Sequence, residues 1–137
     1  SPPAPAPPVV PQLSERLQAR LLGRDNPARM NAPIRYSLQI VNDSRERDGQ
    51  VSIQFQLPPG VSLDRVNPLT NPELSEYRVD AGVVSLAYIR SMDPGESVEY
   101  ELVLISNQPQ TFELTVRLRS QRMRDGFEVS VSTTVTP

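Results

Sequence analysis

The chain has 137 residues and a formal net charge of −2, from fourteen cationic side chains against sixteen Asp and Glu, and it contains no His and no Cys. Every cation is Arg and the acids are interspersed among them, so no broad field of either sign exists to draw in nucleic acid or an anionic membrane, and no partner of that kind is expected. No run of about 18 apolar residues appears, so this segment is not expected to insert into a membrane.

The opening residues, Ser1 to Pro11, hold six Pro, with Ala, Val and Ser between them. Proline fixes φ and has no N–H to donate, so residues 1–12 read as an extended linker, and 13–137 as one domain with a single core. A chain that opens in a linker and closes at Val135-Thr136-Pro137, a strand end, reads as a module of something longer. Leu13 to Leu22 is ambiguous. Leu13, Leu17 and Leu21 fall four apart, with Ser14 as a cap and Gly23 as a stop for a helix, but Leu17, Ala19 and Leu21 also alternate. An opening edge strand from about Leu17 to Leu22 is the reading adopted, because the remainder is all β.

From Pro33 onward the period is two, which gives a half-buried strand one apolar face. Ile34, Tyr36, Leu38 and Ile40 form the first run, and Val51, Ile53, Phe55 and Leu57 the second. Tyr77 to Ile89, broken by Asp80-Ala81-Gly82, is expected to supply two short strands. Val98, Tyr100, Leu102 and Leu104 follow, then Phe112, Leu114, Val116 and Leu118, and finally Phe127, Val129, Val131, Thr133 and Val135. Turn residues separate the runs at Asn42 to Gly49, Pro58-Pro59-Gly60, Asp93-Pro94-Gly95 and Asp125-Gly126. About seven strands in an immunoglobulin-like antiparallel β-sandwich result. A four-residue loop, Met123 to Gly126, would set Leu118 opposite Val131, Val116 opposite Thr133 and Leu114 opposite Val135 in the last hairpin. A two-residue Asp125-Gly126 turn would instead oppose Ser120 to Val131.

The succession Asn31 to Asn42, then Val51 to Leu57 with Pro58-Pro59-Gly60-Val61, then Met92-Asp93-Pro94-Gly95-Glu96-Ser97-Val98, resembles the conserved repeat domain of bacterial cell-surface proteins known as domain of unknown function number eleven. The resemblance covers roughly Leu17 to Thr136. It implies an immunoglobulin-like sandwich, one of several beads on an exported envelope protein, located at the bacterial surface, with neighbouring domains of the same parent chain as partners and no catalytic residue to carry over. The charged stretch Asp43 to Gly49 departs from the short connection typical of those repeats.

Without His, Cys or Lys, the usual general bases, nucleophiles and transition-metal ligands are missing, so the expectation is no enzyme, no cofactor and no metal. A Lys–Asn isopeptide lock is likewise excluded. Several clusters have both a site reading and a plain structural one. Asn42, Asp43, Glu46 and Asp48 carry oxygens suited to Ca²⁺, but Arg45 and Arg47 lie among them, which favours a solvated turn. Arg117, Arg119, Arg122 and Arg124 could dock an acidic partner or a sugar acid, or could simply keep a sheet edge from pairing. Tyr36 and Tyr100 are expected in the core, whereas Tyr77 and Tyr88 could form a sugar-stacking platform. Asp64, Glu73, Glu76 and Asp80 are loosely clustered acids without a cleft. The leading function is a structural or spacer module. The contending one is a recognition module that binds glycan or protein through loops at one end, Asn42 to Gly49 with Asn67 to Glu76.

Overall fold

The computed structural model describes residues 17–137, and the runs that alternate in sequence are the strands that face one another across its core. The elements in chain order are β1 (Leu17–Gly23), β2 (Ala28–Arg29), β3 (Ile34–Asn42), β4 (Asp48–Gln56), β5 (Val61–Pro68), a 3₁₀ helix (Pro72–Ser75), β6 (Tyr77–Asp80), β7 (Val83–Leu86), β8 (Ile89–Met92), β9 (Ser97–Ser106), β10 (Gln110–Arg119) and β11 (Phe127–Thr136). One sheet runs β1-β3-β9-β5; the other runs β2-β11-β10-β4-β7-β6, with β8 also paired to β4. All the long ladders are antiparallel, and only the short β2 lies parallel to its neighbour, β11. The architecture is an immunoglobulin-like antiparallel β-sandwich.

Every second side chain builds the interior. Ile34, Tyr36, Leu38 and Ile40 of β3 and Leu102 and Leu104 of β9 are fully buried, and so are Val51 and Ile53 of β4 and Leu114, Val116 and Leu118 of β10. Each such side chain withdrawn from water contributes about 1.5–3 kcal/mol. The opening segment is strand, not helix: Leu17 sits opposite Asn42 and Gly23 opposite Tyr36, which supplies β3 with ladder partners along its outer edge. Residues 13–16, and with them the Ser14 cap and the Pro-rich linker of 1–12, lie outside the described residues.

Two expectations are corrected in detail. The last hairpin pairs Leu118 with Phe127, Val116 with Val129 and Leu114 with Val131, four residues from the register expected from a four-residue loop and not that of a two-residue turn either. The shift is even, so the same side chains still face the core. Its cause is the connection 120–126, which does not turn at once: Gln121 N donates to Gly49 O at 2.9 Å and Ser120 N to Met123 O at 3.2 Å, so the chain first runs beside the start of β4. Gly126 then closes the turn at φ +72°, where a Cβ would stand 2.5 Å from Leu118 O. Second, Val61–Pro68 is a strand that the alternation concealed. Tyr77 to Ile89 supplies the two short strands expected, β6 and β7 on either side of the Asp80-Ala81-Gly82 break, and a further short strand, β8, follows at Ile89–Met92. Seven strands have seven or more residues: the five clear runs together with β1 and β5.

The exposed edge of β11 is covered from the other direction. Thr134 N donates to Asn26 Oδ1 at 3.1 Å and Asn26 Nδ2 donates to Ser132 O at 3.4 Å, after which β2 pairs with Val135 and Thr136. A side-chain amide thus stands in for a strand where the backbone is still turning, and the edge is not left as a template for pairing. The ladder also fixes where the chain enters and leaves. Leu17 lies at the end of the sandwich marked by Asn42, while Thr136 lies at the other end, where Met30 N donates to Thr136 O at 2.9 Å and Asn31 N to Ser106 O at 2.8 Å.

Candidate functional site

The acidic loop between β3 and β4 is a closed hydrogen-bond network. Asn42 is fully buried: its Nδ2 donates to Glu46 O at 2.9 Å and to Met92 O at 2.8 Å, and its Oδ1 accepts from Ser44 Oγ at 2.7 Å. Asp48, 3% exposed, accepts from Gly49 N at 2.8 Å, from Arg122 N at 3.1 Å and from Ser120 Oγ at 2.5 Å. Arg122 turns in as well, donating to Ser44 Oγ at 3.0 Å with Glu46 at 3.3 Å. Asp43 accepts from Gln18 at 3.2 Å. The four side chains whose oxygens could have suited Ca²⁺ therefore do not converge: Asn42 and Asp48 face inward onto protein donors, and Asp43 and Glu46 outward. Among the described residues no group of three or more His, Cys, Asp or Glu could hold a metal ion.

The loosely clustered acids are dispersed in the same way. Asp64 lies within β5, Glu73 in the 3₁₀ helix, and Asp80 at the end of β6, all exposed, and only Glu76 lines a cleft. The Arg cluster splits. Arg117 donates to Asp125 O at 2.8 Å and pairs with Glu128 at 3.6 Å, Arg122 joins the network above, and Arg119 and Arg124 face a depression on the larger sheet. Tyr36 and Tyr100 are core residues, as expected. The Tyr36 hydroxyl meets Thr133 Oγ1 at 2.6 Å; burial pushes its pKa up while the Thr133 hydrogen bond pulls it down. Burial alone pushes Tyr100 up to about 12, and its hydroxyl is without a hydrogen-bond partner among the described residues.

The surface feature that does converge is on the outer face of the larger sheet. β4 pairs with β7 through Gln54 and Gln56 and then with β8 through Asp48 and Val51, and the register slips by one residue between the two pairings, so the chain bulges at Ala87-Tyr88. Ala87 N is held by Glu76 O at 3.1 Å, which leaves Tyr88 projecting, 68% exposed. A cleft of about 400 Å³ lies there, lined by Tyr77, Tyr88, Arg78, Glu76, Gln54 and Ser85. A broader depression of about 810 Å³ adjoins it, sharing Ser52 and Tyr88 and adding Arg90, Arg119, Arg124 and Gln50. The floor follows from strand parity: Arg117 opposes Gln54, Gln54 opposes Ser85 and Ser85 opposes Arg78, so these four form one row across four strands. Gln54 Nε2 donates to Ser85 Oγ at 3.2 Å within that row. Tyr77 and Tyr88, singled out in the sequence, are thus brought to one cleft. Arg78, Arg90, Gln50 and Gln54 were missed, although the outward phase of Gln50, Ser52 and Gln54 on β4 is the signal that could have found them.

No family model matches the chain, and no curated protein matches it. Solved structures do. A cohesin module from a Clostridium perfringens family 33 glycoside hydrolase is similar with a TM-score of 0.63 at 12% identity, covering 89% of this chain and 98% of that one. AvmM, which catalyses macrocyclization in alchivemycin A biosynthesis, is similar with a TM-score of 0.60 at 10% identity, covering 90% of each chain. The major pilin SpaD from Corynebacterium diphtheriae is similar over 85% of this chain and 33% of that one, with a TM-score of 0.53 at 10% identity. These likenesses show a fold. They include both an enzyme and modules that are not enzymes, so the chemistry of this chain rests on its own residues. Among the described residues no helix is long and apolar enough to cross a membrane.

Proposed function

We propose that the domain is a non-enzymatic structural module of a multidomain, exported bacterial surface protein, set in series with neighbouring domains. The observation that carries this reading is the placement of the two ends of the fold. The first strand begins at the Asn42 end and the last strand finishes at the opposite end, so each copy in a tandem chain adds its long axis to the length. Ten-residue strands such as β9 and β11 rise about 3.3 Å per residue, giving an axis of about 33 Å. The resemblance to surface repeat domains and the cohesin and pilin likenesses support the same setting. The acids that could have formed a catalytic pair, Asp64, Glu73, Glu76 and Asp80, are exposed and lie on separate elements, which supports a role without chemistry.

Small-angle scattering on a chain carrying two copies tests this reading. The maximum dimension should rise by about 33 Å or more over that of one copy. An unchanged dimension, from copies folding back side by side, would refute it.

Recognition is the second reading, and the groove beside Tyr88 favours it. On this reading the ligand surface is the face of the larger sheet rather than the loops at one end, because Asn42, Ser44 and Asp48 are occupied within the Asn42 to Gly49 loop.

A further inference from the structure

We infer that the groove on the outer face of the larger sheet binds an acidic polysaccharide, a chain of sugar units bearing carboxylates. The inference rests on the recognition reading and adds the ligand class. Its first support is charge. The chain as a whole is −2, yet the cleft and the adjoining depression are lined by Arg78, Arg90, Arg119 and Arg124 against the single carboxylate of Glu76. Among the described residues no carboxylate lies within 4.0 Å of any of those four guanidiniums, whereas Arg117, at the end of the same row, is paired with Glu128; Arg20, Arg24, Arg29, Arg45 and Arg65 elsewhere likewise form no ion pair among the described residues, so the groove is set apart by the gathering of four such guanidiniums on one face. Guanidinium presents a planar fork of donors that matches a carboxylate, and an unpaired set on one face is complementary to repeated carboxylates.

The second support is the chemistry between the charges. Gln50, Ser52, Gln54 and Ser85 offer amides and hydroxyls that both donate and accept, as the hydroxyls of a sugar require. One exposed tyrosine ring, that of Tyr88 at 68% exposure, projects at the cleft, and a tyrosine combines an apolar ring face with a polar tip. Such rings pack on the C–H faces of pyranose units. The third support is shape. The row from Arg78 to Arg117 spans three strand spacings, about 14 Å, so the face is a track for an extended chain rather than a socket for one small molecule. Lining residues with large apolar side chains are few, which suits sugar better than the apolar anchors of a peptide.

The test is calorimetric titration of the folded domain with three acidic oligomers, oligogalacturonate, oligomannuronate and hyaluronan, each beside a matched form whose carboxyls are methyl-esterified. Poly-glutamate serves as a peptide control. Saturable binding to at least one acidic oligomer is expected, weakened tenfold or more by esterification and by raised salt. Arg119→Gln and Arg90→Gln should each weaken it at least fivefold, and Tyr88→Ala should abolish it. All three side chains are exposed, so melting curves of the variants should match the parent and separate lost binding from lost fold. Equal binding to esterified oligomers, with the Arg variants unaffected, would overturn the acidic class and leave recognition standing. Poly-glutamate binding that survives Tyr88→Ala would overturn the sugar. No binding to any oligomer would overturn both.

Discussion

Two tyrosines in the same sheet should respond with opposite sign to the loss of one oxygen atom. Tyr100 and Tyr36 are both fully buried. The Tyr100 hydroxyl has no partner among the described residues, and a buried polar group left unmatched costs about 1–3 kcal/mol. Tyr100→Phe removes that cost and leaves a void on the order of 10 Å³, worth about 0.2 kcal/mol. The variant should therefore gain about 1 kcal/mol or more. Tyr36→Phe breaks the 2.6 Å bond and strands Thr133 Oγ1, 1% exposed, so it should lose about 1–3 kcal/mol. With about 120 residues folding, 1 kcal/mol corresponds to roughly 4 °C in Tm. Urea titrations followed by far-ultraviolet circular dichroism suit a chain without Trp. A destabilised Tyr100→Phe would show that its hydroxyl is satisfied in solution and refute the reasoning. The same pair has an alkaline signature. The folded value of Tyr100, about 12, lies above the ordinary value near 10. Its contribution is complete below pH of about 10 and is lost as pH rises from there through about 12; Tyr100→Phe should flatten that decline.

Leu114→Ala should cost about 2–5 kcal/mol, since Leu114 is fully buried on β10 opposite Val131, and an unmoved denaturant midpoint would show the face is wrong. Asp48→Ala should cost about 3 kcal/mol, because Gly49 N, Arg122 N and Ser120 Oγ all lose their acceptor. Hydrogen exchange should then accelerate at Arg122 and Met123, and unchanged exchange there would contradict the role given to Asp48. Asp25→Asn tests an ion pair at the turn before β2. Arg35 donates to Asp25 through Nε at 3.1 Å and Nη2 at 3.0 Å, and this hydrogen bonding holds the Asp25 carboxyl below its usual range. Because the folded value is lowered, the stabilisation is complete above the unfolded value of about 3.9 and disappears as pH falls through the folded one. The parent should exceed Asp25→Asn in stability at pH 7 and converge with it in acid; a gap independent of pH would contradict the pairing.

The faces of the strands were legible because period two is a local property: Ile34 to Ile40 and Leu114 to Leu118 reveal their buried side without reference to anything else. β5 was not legible because its ladder skips a residue. Leu63 opposes Leu104 and Arg65 opposes Val103, so Asp64 is the extra residue of a bulge, and the inward positions Leu63 and Val66 fall three apart. The hairpin register escaped for a different reason. It depends on Asp48 and Gly49, more than seventy residues earlier, holding 120–122 alongside β4. The same distinction governs the candidate groove. Tyr77 and Tyr88 could be picked out as exposed aromatics, but their convergence needs β4 to exchange β7 for β8, a pairing that no local pattern encodes.

Stretching a tandem array from its two ends tests whether the bead stands in series between its neighbours. Force then runs along the strands, loading the β1–β3 ladder from Leu17 to Gly23 and the β10–β11 ladder from Gln110 to Val135 in shear. Each bead should open in a single step that releases its 121 described residues, about 400 Å of chain at roughly 3.3 Å per residue less the folded axis of about 33 Å. Several small steps, or gradual lengthening at low force as strands peel away one by one, would contradict that serial arrangement.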